Sequence, residues 1–228
     1  MDLEALWLTL RLAAATTAIL LLVALPLAWW IASRQGLLTA LVQAVVALPL
    51  VLPPTVLGFY LLVAMGPLTA PGRMLIQVVG HPLAFSFEGL LIGSVLYSLP
   101  FAVQPLVAGF EAVDRGYIEA AEGLGASPWR VFSSVVLPMA RASLLTGAVL
   151  TFTHTVGEFG VVLMLGGNIP GATRTLSISI YDLVQEGSYA AANRTALALV
   201  GFAAAALVVI YLLPSVRRGE GRQADVVR

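Results

Sequence analysis

The sequence predicts an all-α integral membrane protein with about five transmembrane helices and one polar cytoplasmic segment. Three observations predict it. Apolar residues make up 59% and charged residues 11% of the 228 residues, whereas charged residues are about a quarter of a soluble domain. Five runs carry few or no charges and are long enough to cross a bilayer, for which roughly 20 residues suffice. Between the third and fourth runs lies Glu111 to Pro138, the one long polar stretch among them. Residues 1–228 thus read as a single transmembrane domain.

Composition also removes several functions. Net charge is zero, so nothing points to nucleic acid, and with no cysteine there are no disulfides or thiolate metal sites. All twelve basic residues are arginine. A phosphate-binding loop of the Walker type needs a lysine, so this chain carries none. If transport here runs on ATP, another subunit binds the nucleotide.

The first span covers residues 6–31, with Arg11 near its start. A signal peptide is the competing reading. Asp2 and Glu4 stand where a basic region belongs, and no soluble domain follows. The second span, residues 37–65, has no charge and contains Pro49, Pro53 and Pro54. Prolines inside a span free carbonyl groups and bend the helix, which is tolerated where protein or water satisfies them. The bend either lines a path or is a kink in a packed helix. Residues 66–88, with Pro67, Pro71, Gly72, Gly80 and Pro82, read as an extramembrane loop. His81 falls there as a solvated side chain. The third span, residues 89–110, carries Ser94, Tyr97, Ser98 and Gln104 as its polar positions and Pro100 and Pro105 as kinks.

The fourth span, residues 139–165, alone holds ionisable groups at depth, His154 and Glu158. Gly147, Thr151, His154, Thr155 and Glu158 fall at helical spacing and predict one face of small and polar residues. Charged groups inside a membrane are costly and point to function. The competing reading is a histidine and carboxylate paired for helix packing. Residues 166–193 predict an external loop with a short interfacial helix. The fifth span, residues 196–213, is stopped by Pro214, Arg217 and Arg218, and a loose tail occupies residues 215–228.

Five spans place the termini on opposite sides. With the amino end outside, Arg34, Arg115, Arg130, Arg141, Arg217, Arg218, Arg222 and Arg228 lie inside, against Arg11, Arg73, Arg174 and Arg194 outside. Eight against four follows the excess of basic residues in cytoplasmic loops. It also puts residues 111–138 in the cytoplasm.

That segment predicts two short helices meeting at a glycine elbow. The first runs from Asp114 to Leu124 and ends at Gly123 and Gly125. Ser127 and Pro128 cap and open the second, and Pro138 ends it. Glu119-Ala120-Ala121, three residues, Gly125, nine residues, Val135, one residue, Leu137-Pro138 resembles the EAA loop of the membrane subunits of ABC importers, with Val for the usual Ile. Within that family, LPLVLPPTVLGFYLL in the second span and HTVGEFGVVLMLGGNIPGATRTLSISIYDLVQ from His154 to Gln185 resemble molybdate permeases, and Gly-Glu-Phe-Gly at 157–160 and Asn-Ile-Pro-Gly with Thr-Arg-Thr at 168–175 resemble them more than sulfate permeases. Some members carry an additional amino-terminal span, which is not found here and leaves the outer packing open.

The resemblance implies the fold of a type I ABC importer transmembrane domain with a cytoplasmic coupling helix, in the bacterial cytoplasmic (inner) membrane. It implies that two copies form the pore, that a dimer of ABC ATPase subunits beneath binds ATP and Mg, and that an extracytoplasmic molybdate-binding protein delivers substrate. The chain itself would hold no cofactor. Glu119, Ala120, Ala121, Gly125 and Pro138 are the expected coupling residues. For the translocation path, Thr151, His154 and Thr155 are expected to offer donors to a passing oxyanion. Glu158, which would repel it, is assigned to a gate or to an ion pair with Arg174 or Arg141. Tungstate, sulfate and molybdate are not separable on physical grounds. A secondary transporter working alone would need internal repeats and more intramembrane charges. An intramembrane hydrolase built on His154 and Glu158 lacks a third ligand.

Overall fold

The structure is a computed structural model that describes residues 2–212. It is helical, in chain order α1 (Leu3–Ala32), α2 (Leu37–Val51), α3 (Pro54–Met65), α4 (Ala70–Val79), α5 (Phe87–Glu111) and α6 (Arg115–Gly123). There follow α7 (Pro128–Val131), a π-helical turn (Phe132–Val136), α8 (Leu137–Met139), α9 (Arg141–Gly157), α10 (Gly160–Gly166), α11 (Leu176–Gln185) and α12 (Tyr189–Leu212). Among the described residues three helices, α1, α5 and α12, are long and apolar enough to cross a membrane, and counting each of two bent pairs as one span brings the number to five. The tail assigned to 215–228, with Pro214 and its arginines, lies outside the described residues.

The second span is bent far more sharply than the kink that the sequence predicts. The α2–α3 pair turns by 110°. Leu52 and Pro53 are extended there, with ψ of 136° and 133°, because a residue before proline is pushed out of the helical region and Pro53 and Pro54 have no N–H to continue the ladder. The fourth span starts at a bend and is divided once. The helix from Pro128 to Met139 meets α9 at 72°, and α9 ends at Gly157, with Glu158 extended at ψ 134° before α10 begins. The stripe of small and polar residues therefore ends before Glu158, which sits in a break and not on the helix face.

Two further expectations are corrected. Residues 66–88 contain α4: the Thr69 hydroxyl accepts from Gly72 N–H at 3.1 Å, Pro71 lies in the first turn and Gly80 closes the end. Residues read as breakers are here the start and stop of a helix. Pro138 does not end the coupling segment's second helix, which continues to Met139. A proline ring collides with the carbonyl four residues back in a regular helix, here that of Ser134. The wider π turn, closed by Leu137 N–H on the Phe132 carbonyl, is where the helix accommodates it.

α1, α5 and α9 pack on one another as the centre of the bundle. Two apolar clusters hold its ends. At the coupling end, Leu20, Ala28 and Ile31 of α1 and Val103, Leu106 and Phe110 of α5 meet Val131, Phe132 and Val136. At the other end, Leu8 and Leu12 meet Met65, Leu90, Val161, Leu165 and Ile178. Between these clusters lies a polar waist of Thr16, Ser94, Ser98, Thr151 and Thr155, each buried.

Candidate functional site

The coupling segment is built from local signals. The Asp114 carboxylate caps α6 by accepting from Gly116 N–H at 2.8 Å. At the other end, Gly125 N–H reaches the Glu122 carbonyl at 2.8 Å and Ala126 N–H reaches the Ala121 carbonyl at 3.0 Å. Those two bonds form a Schellman closure, which needs a left-handed residue. Gly125 supplies it, at φ +81° with open space around its α-carbon. Ser127 then caps the next helix through Arg130 N–H. The elbow is as expected from sequence. Glu119, Ala120, Gly125 and Pro138 are exposed and Ala121 is half-buried. Sequence reasoning missed the apolar surface beside them: Tyr117, Leu124 and Trp129 are exposed, Leu124 by 90%. It also missed the anchor beneath. The Phe132 ring sits 5.6 Å from Trp29, 5.8 Å from Phe110 and 5.9 Å from Trp129, tying the segment to the ends of α1 and α5.

A second candidate site is the cleft of about 540 Å³ where the α2–α3 and α9–α10 breaks meet, lined by Pro54, Thr55, Tyr97, Thr153, His154, Glu158 and Gly160 among others. Close approach makes it. A Cβ on Gly160 would lie 2.7 Å from Pro54 Cβ, and one on Gly58 2.7 Å from Met164 Cβ, so only glycine lets α3 and α10 pack at this distance. Of the four residues expected along the path, His154 and Glu158 reach the cleft. Thr151 and Thr155 are buried in the waist, Thr155 against Ser98 of α5, and Thr55, Tyr97 and Thr153 line the cleft instead.

His154 is held in place from three sides. Its ring stacks on Phe101 at 3.9 Å, lies 4.8 Å from Tyr97, and Nδ1 is 2.9 Å from Ser98 Oγ. Ser98 Oγ is 3.0 Å from Thr155 Oγ1, which is 2.9 Å from the Thr151 carbonyl. Only one placement of hydrogens satisfies all three bonds. The carbonyl can only accept, so Thr155 donates to it, Ser98 donates to Thr155, and Nδ1–H of His154 donates to Ser98. The neutral ring therefore turns Nε2 outward as a lone pair, and the donor expected of His154 is spent inside the waist.

Glu158 is 3% exposed, and neither carboxylate oxygen has a hydrogen-bond partner among the described residues. The expected ion pair is not formed. Arg174 instead lies 3.5 Å from Asp182 and donates to Asn168 at 2.6 Å. Arg141 opens α9 at the far end from Glu158. Ser94 Oγ and Thr151 Oγ1 likewise make no well-formed bond, although the Ser94 hydroxyl stands beside the Glu158 carboxylate. No sequence signal reveals which waist hydroxyls pair, because the pairing depends on the register of α5 against α9.

Comparisons with known proteins fit this architecture. Residues 24–217 match the family described as binding-protein-dependent transport system inner membrane component. The molybdenum transport system permease protein ModB of Azotobacter vinelandii is 53% identical over 218 residues, covering 95% of each chain. Its namesake in Haemophilus influenzae is 36% identical over 185 residues, covering 81% of each. An inward-facing structure of the MetNI methionine ABC transporter superposes with a TM-score of 0.71 at 20% identity, over 92% of this chain and 93% of that one, a likeness of fold. The matched span includes both bent pairs and the coupling segment, and this chain belongs to the family of inner membrane components of binding-protein-dependent transport systems.

Proposed function

We propose that this chain is the membrane-spanning permease of an ATP-driven importer of molybdate. The observation that carries the reading is 53% identity across 95% of the chain to a permease named for molybdenum transport. The chain is the permease component and not itself the ATPase. Two copies form the pore in the bacterial cytoplasmic membrane, amino ends outside. A pair of ATPase subunits binding ATP and Mg docks against the coupling segments, and an extracytoplasmic molybdate-binding protein delivers the anion.

Physical arguments support each assignment. Glu119, Ala120, Ala121 and Gly125 lie on the exposed elbow, with Leu124 and Trp129 as apolar anchors of the kind that dominate protein contacts. Pro138 sets the π turn that joins the elbow to α9. Closure of the ATPase pair would draw the two elbows together, and the Phe132 cluster would carry that movement into α1 and α5. In the cleft, the Thr55 and Tyr97 hydroxyls offer the passing oxyanion weak, replaceable contacts. Glu158 at the α9–α10 break is the gate residue.

The test is reconstitution of the co-purified permease, ATPase and binding protein in vesicles. Labelled molybdate accumulates only when ATP is present, and excess sulfate competes poorly. Accumulation by the permease without any ATPase contradicts the reading, and equal competition by sulfate contradicts the choice of substrate.

A further inference from the structure

The cleft has a chemical peculiarity that transport of an anion does not by itself explain. Its two most strongly placed groups present lone pairs only. Glu158 offers two buried oxygens that no group bonds in good geometry, although the Ser94 hydroxyl stands beside them, and His154, with Nδ1–H committed to Ser98, offers Nε2. Among the described residues nothing positive meets them. The sequence has no lysine, and no arginine among the described residues lines the cleft. The titratable neighbour on α5 is Tyr97, and the cleft residues contributed by α3 and α10 are Pro54, Thr55 and Gly160, none of them titratable. A buried carboxylate without a partner is among the most costly arrangements in a protein interior, so these atoms mark a missing ligand. A dianion cannot be that ligand, since carboxylate and oxyanion repel.

We infer that the cleft is a site for one positive charge, a proton or a monovalent metal ion, held between the Glu158 carboxylate and Nε2 of His154, and that an oxyanion crosses the cleft beside it. The site would explain how a cleft with no cation among its described lining residues passes an anion next to a carboxylate. Loading removes the repulsion, and on Nε2 a proton also turns an acceptor into a donor. Among the described residues no three metal-ligating side chains cluster, which limits a metal occupant to a weakly held monovalent ion. The transport half of the inference rests on the molybdate reading, and the charge site does not.

Two experiments test it. In vesicles holding the complete transporter, molybdate taken up per ATP hydrolysed is measured against pH in choline buffer, then at fixed pH with sodium or potassium replacing choline. A proton occupant makes the ratio fall as pH rises, approaching about tenfold per pH unit for one site. A metal ion makes it rise with sodium or potassium. In either case Glu158→Gln flattens the response. A wild-type ratio indifferent to both variables, or a response unchanged in Glu158→Gln, overturns the inference.

The second experiment takes its first reading on an unaltered cleft. The sequence has two histidines, so nitrogen resonances of histidine-labelled complex are assigned with His81→Asn. The neutral His154 ring is expected as the Nδ1–H tautomer, and an Nε2–H tautomer overturns the site. A His154 signal that answers to the charge and to Glu158→Gln, in a complex that imports no molybdate, supports the site and overturns the substrate reading alone.

Discussion

The two ends of the bundle are built on opposite principles. At the coupling end, side chains are apolar and matched: Phe132 is enclosed by Trp29, Phe110 and Trp129, and the elbow above it closes its own backbone bonds. At the waist and the cleft beyond it, hydroxyls and a carboxylate are buried with their bonding half complete. Dense apolar packing transmits force because it deforms little. Incomplete polar packing can exchange partners at small cost. One region is therefore suited to carrying a movement and the other to changing with it.

That contrast is broken most severely at Phe132. Phe132→Ala removes the shared ring of the aromatic cluster and is expected to destabilise the protein by about 3–5 kcal/mol, read as a lowered unfolding midpoint in detergent. Phe132→Leu should recover much of this, while an alanine variant as stable as the parent would show that the cluster anchors nothing. Ser98→Ala leaves Nδ1–H of His154 buried without an acceptor and is expected to cost about 1–3 kcal/mol. The same measurement checks it, and the His154 nitrogen shifts should move, which a mere packing defect would not cause.

Gly125→Ala puts a β-carbon on a left-handed residue, for about 1–2 kcal/mol of local strain. Its effect should appear as less uptake per ATP hydrolysed together with a modestly lowered unfolding midpoint. Glu158→Leu sharpens the comparison through its sign. Removal of a buried, unpartnered carboxylate is expected to raise the midpoint, by about 0.5–2 kcal/mol, while uptake falls. A lowered midpoint would mean that Glu158 has a structural partner.

Much of this was legible in the sequence, and the boundary follows physical lines. The elbow was readable because caps and a left-handed glycine act within a few residues: Asp114, Ser127 and Gly125 do in space what their order predicts. The long spans were readable from hydropathy alone. The α4 helix was not, because Thr69, Pro71 and Gly80 mark a helix's ends with the residues that also mark loops. Nor were the breaks. The one at Glu158 has no proline and depends on α10 docking against α3 through Gly58 and Gly160, a contact between residues about 100 apart in sequence. The pairing of His154 with Ser98 spans 56 residues, and the burial of Thr151 and Thr155 likewise depends on how two helices lie together. Helical spacing places such groups on a face without saying what the face meets.

The account depends above all on the exposed elbow being the surface on which a nucleotide-hydrolysing subunit acts. Since the sequence contains no cysteine, a single one placed at Leu124, the most exposed of the elbow's apolar side chains, reports its surroundings without background. The account predicts that in intact cells this cysteine is shielded from a membrane-impermeant thiol reagent and that in inverted membranes it cross-links to the co-purified ATPase. Labelling from outside intact cells, or no cross-link to any ATPase, would contradict it.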